Sequence, residues 1–298
     1  MRIFVYKVLI FLIGVAVIDF IAGITLDSIR ANAKGGVTYM DQYISDTMKC
    51  DILLLGSSRC LHHYNPIVIE DSLNAMCFNA GQSGNGIIAA YAIYKMTCER
   101  HKPRLVILDI VPDFDLLTRF DNHRYLSWLK AFYERDCVRD IFETIDETEK
   151  YKMKSNLYRY NSRFLQILRD YINPKTVDYV KGFVPYDREM DKTKIDKKEM
   201  VIKRGQYSFD SLKISYINKL IDDVGKDSII IAISPRWYGL DTESYAPVLD
   251  ICKERNVKFV DFSNNANYVH NDYFFIDGAH LNSRGADNFT KDLIKYIK

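Results

Sequence analysis

Apolar residues in this chain come in blocks, and five short blocks closed by turn residues read as buried strands. They are Ile52–Leu55, Ala75–Phe78, Leu105–Ile110, Ser228–Ser234 and Val257–Phe262. Continuous apolar runs of this length fit strands covered on both faces. Helical periodicity fills the intervals, with Ile87–Arg100 after the second run and Tyr245–Arg255 before the fifth. Strand alternating with helix predicts an α/β fold whose parallel sheet carries helices on both sides. Ligands of such sheets lie beyond the carboxyl ends of the strands. That rule selects the loops beginning at Gly56, Asn79, Val111, Pro235 and Ser263.

Two stretches depart from this rhythm. Val8–Ile18 is wholly apolar, Phe20–Leu26 continues it past a single Asp19, and Arg2 and Lys7 flank it on the N-terminal side. About 20 apolar residues cross a bilayer as a helix, and a positive flank stays cytoplasmic. Residues 1–30 are therefore expected to form a transmembrane signal-anchor, with the chain from about residue 30 onward outside the cytoplasm. Ala31-Asn32-Ala33 has the small-x-small form of a cleavage site. Asp27 and Arg30 stand between it and the apolar run, a context that favours an uncleaved anchor. The second stretch, residues 111–227, is far longer than one crossover helix requires. It is charged and rich in tyrosine, with Lys192–Lys198 its most polar part. A helical insertion at about 115–225 is expected, inside a domain running from about 45 to 298.

Composition narrows the function classes. The chain has 41 basic and 39 acidic residues and a formal net charge of +2, and no lysine- or arginine-rich tract dominates. Nucleic acid is not expected as a partner. The 21 tyrosines concentrate between residues 125 and 245, as stacking surface for a carbohydrate or as amphipathic helix faces. The six cysteines, at 50, 60, 77, 98, 137 and 252, form no CxxC pair; their even number permits disulfides without defining them.

Three of the selected loops carry candidate chemistry. They are Gly56-Ser57-Ser58-Arg59, the stretch Asn79-Ala-Gly81-Gln-Ser-Gly84-Asn85-Gly86 before a helix, and Asp277-Gly-Ala-His280-Leu-Asn-Ser-Arg-Gly285 before another. A serine nucleophile needs a base, an acid to orient the base, and donors for the developing oxyanion. Ser58 supplies a hydroxyl, and Asp277 and His280 lie three apart, where the carboxylate can hold one ring nitrogen. The amides of Ser58 and Gly84 can face the same crevice. The glycine loop reads G-x-x-G-x-G, which is not the dinucleotide order, and it lacks the Lys-Ser/Thr of a phosphate loop. His270, Asp272, Asp277 and His280 also form a conceivable metal set, but acid–base pairing accounts for Asp277 and His280 more simply. His62 and His63 are expected on the helix after Ser58.

A strand followed by GSSR, then N-x-G-x-S-G, then D-x-x-H-L-N-x-x-G-A resembles the SGNH (GDSL-like) hydrolase superfamily. More narrowly, the chain resembles membrane-anchored, GSSR-bearing bacterial members with cell-surface polysaccharide functions. The likeness covers about residues 48–113 and 228–297. It implies a three-layer α/β/α, flavodoxin-like fold with a five-stranded parallel sheet, serine chemistry on esters, and neither metal nor cofactor. It also implies Ser58 as nucleophile, Gly84 as an oxyanion donor, Asp277 as acid and His280 as base. One position departs: the family carries asparagine just after the third strand, and here Pro112 stands in Leu108-Asp-Ile-Val-Pro112-Asp113-Phe114. A substitute oxyanion or substrate-binding donor is then expected among Gln82, Asn85 and Arg59. The resemblance thus implies an extracytoplasmic serine esterase or O-acyltransferase acting on acyl groups, acetyl above all, of cell-surface carbohydrate. An acylated carbohydrate or other ester is the expected substrate, and a membrane acyl-transfer protein a further partner. The alternative is an inactive domain of this type that binds a glycan or a membrane partner.

Overall fold

A computed structural model of the chain describes residues 1–174, 179–191 and 207–297. In chain order the first helices are α1 (Arg2–Ala31), α2 (Gly36–Asp46), α3 (Ser58–His63), α4 (Pro66–Leu73), α5 (Ile87–Cys98), α6 (Pro112–Asp115) and α7 (Leu126–Leu129). They are followed by α8 (Asp136–Ile145), α9 (Glu149–Lys152), α10 (Asn156–Tyr160), α11 (Phe164–Ile172), α12 (Ser211–Val224), α13 (Ala246–Arg255) and α14 (Ser283–Ile297). The strands are β1 (Ile52–Leu55), β2 (Cys77–Asn79), β3 (Leu105–Asp109), β4 (Ile229–Ile233) and β5 (Lys258–Asp261). The chain divides into two compact units, Met48–Asp121 with Asp178–Lys298, and Met1–Thr47 with Asn122–Val177. The residues expected as one insertion are thus shared between two bodies. The Lys192–Lys198 stretch lies outside the described residues.

The first unit is α/β. All its strands are parallel, in the order β2-β1-β3-β4-β5. β1 and β4 are buried along their whole length, as their unbroken Ile/Leu runs require, whereas the edge strand β5 buries only Val260. The strand order reverses between β1 and β3, the position where doubly wound sheets open a crevice. Two helix groups accompany the sheet. α5 packs on α12, joined by Tyr91 and Lys95 donating to Asp223, each at 2.9 Å. α3 and α4 pack on α14, joined by Asn65 N donating to Thr290 Oγ1 at 3.0 Å and by the Tyr64 and Phe289 rings. All six thiols are free, and Cys60 and Cys77 serve as small buried apolar groups.

The second unit is helical, with Trp128, Val138, Ile141, Phe142, Met153 and Ile167 in its interior. Its helix α1 is long and apolar enough to cross a membrane, and only 6% of its most apolar window is buried within the protein. That exposure distinguishes it from the core helix of a globular domain.

Candidate functional site

The site grows from the ends of β1 and β2 and from the turn before α14. After β1 the chain turns at Gly56, at φ +150°, where an added Cβ would meet Asp109 O at 2.8 Å and Cys60 Cβ at 2.9 Å. Only glycine lets the backbone pass there. Ser57 caps α3 by accepting from Arg59 N, and Ser58 occupies the first helical position, half-buried. Asn79, at the end of β2, then ties α3 to the glycine loop. Its Nδ2 donates to Cys60 O at 2.7 Å and Tyr64 O at 2.9 Å, and its Oδ1 accepts from Gly81 N at 2.9 Å. Gln82 N donates to Gly56 O at 3.0 Å, which closes the loop onto the β1 turn.

Asp277 and His280 form a tight turn. Asp277 Oδ1 accepts from the amides of Ala279 and His280, both at 2.8 Å, and both carboxylate oxygens lie 3.1 Å from His280 Nδ1. Burial alone would raise the Asp277 carboxyl; the His280 ring and these two amides outweigh it and hold the group below its ordinary value. An ionised carboxylate only accepts, so Nδ1 carries the ring proton and Nε2 presents a lone pair. Ser58 Oγ lies 2.9 Å from that Nε2. The side chains of His280 and Asp277 are 24% and 33% exposed, which leaves the site open to a solute.

Beneath His280 lies a buried polar layer in which Arg59 and His63 meet Ser234 and Asp109, two residues outside the three loop motifs. Leu281 N, the amide next to His280, donates to His63 Nε2 at 3.0 Å. His63 Nε2 is therefore an acceptor, and Nδ1 carries the proton toward Ser234 Oγ at 3.0 Å. Burial, followed by the Arg59 charge, pushes the His63 pKa well below its ordinary value, so the ring is neutral. Arg59 Nε and Nη2 donate to Ser234 Oγ at 3.1 and 3.0 Å, and Nη2 also bonds Ser234 O. Ser234 N and Tyr64 Oη both donate to Asp109 Oδ1, at 2.9 and 2.7 Å. Burial raises the Asp109 carboxyl in spite of the Arg59 charge. The available signals were Asp109 closing an apolar strand and Ser234 before Pro235.

The expected substitute donors fare differently. Arg59 is fully buried on this layer and braces the end of β4, so its guanidinium is not a donor over Ser58. Residue i+1 of a helix points about 100° away from residue i, which turns Arg59 inward when Ser58 faces out. Gln82 and Asn85 remain in the glycine loop, with Asn85 Nδ2 donating to Gln82 Oε1 at 2.9 Å, and Gly84 adopts φ +74° between them. Pro112 starts α6, where a missing N–H is harmless. Asp115 Oδ2 accepts from Val111 N at 2.6 Å, and the Phe114 backbone presses on Gly86. Helix backbone therefore takes the place in which an asparagine was expected.

His62 and His63 both lie on α3, as expected. His62 Nδ1 bonds Val184 O at 2.7 Å, its ring stacks on Tyr186 with centroids 4.0 Å apart, and burial lowers its pKa to about 4. The Tyr186 centroid lies 6.1 Å from that of His280, so the segment from 179 contributes an aromatic wall. His270 instead packs its ring on Trp237, whose Nε1 donates to Asp272 at 2.9 Å; these two residues do not join Asp277 and His280 as ligands. Among the described residues, the histidine and carboxylate atoms that do converge are those of His123, Asp146 and Glu149 in the helical unit. The Lys152 ammonium already sits on those carboxylates, at 3.0 and 2.8 Å. Compared with protein-family models and with curated proteins, the chain matches none.

Proposed function

We propose that Ser58, His280 and Asp277 form a serine acyl-transfer site of the SGNH type. In this reading the chain is an extracytoplasmic esterase or O-acyltransferase working on acyl, chiefly acetyl, groups of cell-surface carbohydrate. The observation that carries the reading is the chain of contacts from Ser58 Oγ to His280 Nε2 at 2.9 Å and from Nδ1 to Asp277 at 3.1 Å. The two helix groups, one on α5 and one on α14, are consistent with the three-layer arrangement of that superfamily. α1 anchors the protein, with Arg2 and Lys7 on the cytoplasmic side.

The chemistry follows from the protonation pattern. Ser58 Oγ attacks the ester carbonyl carbon while its proton passes to His280 Nε2, and ionised Asp277 stabilises the imidazolium. The tetrahedral oxyanion is met by the amides of Ser58 and Gly84 with help from the Gln82–Asn85 pair. His280 then returns the proton to the departing alcohol, leaving Ser58 acylated. A second hydroxyl, of water or of a sugar, attacks the acyl-serine with His280 again as base. His63 takes no proton in this cycle; it is a positioning residue that fixes the Leu281 amide and so the turn carrying His280.

Pro112 favours a second reading, a domain that binds glycan without turning it over. The two separate in one assay of the full chain in detergent. The first predicts hydrolysis of an aryl acetate that Ser58→Ala abolishes while glycan binding persists. Equal, poor turnover by wild type and Ser58→Ala, with glycan bound by both, would establish the second.

A further inference from the structure

The helical unit carries an arrangement unsuited to water. On α11, Ile167 and Asp170 face inward and are 3% and 2% exposed, whereas Leu165 and Ile172 face outward at 70% and 76%. Phe164 and Tyr171 are also exposed and Leu168 partly so, which makes an apolar stripe one helical turn apart along the outer face. The buried side holds a carboxylate beside Ile167: Asp170 Oδ2 accepts from Thr38 N at 3.0 Å and from Thr38 Oγ1 at 2.8 Å. α11 packs on α1 within the same unit, so this stripe adjoins the exposed apolar surface of α1.

Length fixes how deep this surface lies. From Val8, just past the Lys7 flank, to Leu26 the helix α1 carries a single charged residue, Asp19, and most of this stretch is exposed. At 1.5 Å per residue it is about 28 Å long, which matches a hydrocarbon core of about 30 Å. Stopping the span before Asp19 would leave only about 16 Å from Val8 to Ile18. Asp19 therefore lies within the span, about 10 Å inside the end marked by Leu26. A carboxylate at that depth needs internal partners, and α10 provides them. Asp19 accepts from Ser155 Oγ at 2.6 Å, from the amides of Asn156 and Leu157 at 2.9 Å each, and from Asn156 Nδ2 at 3.2 Å. At Gly23, one turn on, the helices are so close that a Cβ would collide with the Asn156 side chain. After another turn, Tyr160 Oη bonds Asp27.

We propose that the helical unit is seated in the bilayer, not tethered above it. The start of α10 and the outer face of α11 contact lipid acyl chains in the leaflet nearer residue 31, and Asp19 locks α1 to this seat. The partner is lipid, because α10 must reach hydrocarbon depth to serve Asp19. Serine chemistry plays no part in the argument, and either outcome at Ser58 leaves it standing.

The test uses full-length chains reconstituted in phosphatidylcholine vesicles with plain or brominated acyl chains. Tryptophan is introduced as Leu165→Trp, Ile172→Trp, Phe11→Trp in the anchor, or Glu143→Trp on the exposed side of α8, and emission from Trp128 and Trp237 is subtracted using the parent chain. Leu165→Trp and Ile172→Trp are expected to emit blue-shifted light and lose it in brominated lipid as Phe11→Trp does, while Glu143→Trp is unaffected. If Phe11→Trp is quenched but both α11 variants behave like Glu143→Trp, the unit stands in water or against a protein and the proposal fails. If Phe11→Trp escapes quenching too, α1 is not an anchor and the proposal falls with it.

Discussion

The buried layer under His280 and the outer face of α11 treat polar groups in opposite surroundings by one rule. In the α/β unit, Arg59, His63, Asp109 and Ser234 are withdrawn from water under the strand ends, where each satisfies a neighbour that a loop or helix end would otherwise leave unpaired. In the helical unit, Asp170 and Asp19 are likewise held by amides and hydroxyls, but Leu165 and Ile172 of α11 point out. The sheet hides its apolar strands because its solvent is water. The outward stripe on α11 fits lipid as solvent, so the apparent inversion is the same preference read against a different medium. Burial within the protein alone would mislabel Leu165 and Ile172 as liabilities.

The largest expected effect of substitution is at the site itself. His280→Ala, or Asp277→Asn, should lower kcat for an aryl acetate by roughly 10²–10⁴ and leave KM little changed, because each removes proton transfer in the transition state. Parallel losses in kcat and in glycan affinity would mean the turn is only a binding feature. Smaller effects come next. His63→Leu strands the Leu281 amide, and Asp170→Ala strands Thr38; each should cost about 1–3 kcal/mol by urea unfolding of the full chain in detergent. His63→Gln keeps an acceptor and a donor and should recover most of the kcat that His63→Leu loses.

The pH dependence follows with its sign. In the unfolded chain His62 and His63 titrate near 6.5, whereas burial holds His62 at about 4 and His63 well below its ordinary value in the fold. Between those values the unfolded state binds protons that the native state does not. Stability is therefore complete above about pH 6.5 and falls as pH is lowered, by up to about 1.4 kcal/mol per pH unit for each histidine. His63→Gln should make the decline shallower; an unchanged slope would show that His63 is not the group excluded from protonation. The smallest effect sharpens the contrast with Asp170: Leu165→Ser should alter stability in detergent by less than about 0.5 kcal/mol. A loss as large as that of Asp170→Ala would show that Leu165 packs within the protein.

Much of the α/β unit was legible in the chain. The run Ile52–Leu55 matches β1 residue for residue, and the later strands match their apolar runs to within one or two residues, since buried parallel strands need unbroken apolar sequence. The apolar run predicts Ala75 and Met76 in the strand, but they precede the ladder, which opens with Asp51 N and Ile52 N both donating to Met76 O. Ser58, Asp277 and His280 were legible together because each lies in a motif between a strand and the helix that follows it, on the side of the sheet where ligands bind. Arg59 misled, because adjacency in sequence hides the turn of a helix that sends neighbouring side chains apart. Tyr186 and Val184 approach α3 from a distant segment without periodic signal, so nothing local announced them. The polarity of α11 was equally hidden, since a stripe of Leu and Ile looks the same whether core or lipid covers it.

A fluorophosphonate probe reads directly whether Ser58 is a nucleophile activated by His280. Incubated with the full-length protein in detergent and followed by peptide mass analysis, the probe should modify the peptide containing Ser58. Labelling should vanish in Ser58→Ala and drop steeply in His280→Ala. Absence of label on Ser58 in the folded wild-type chain, or equal labelling with and without His280, would contradict the account.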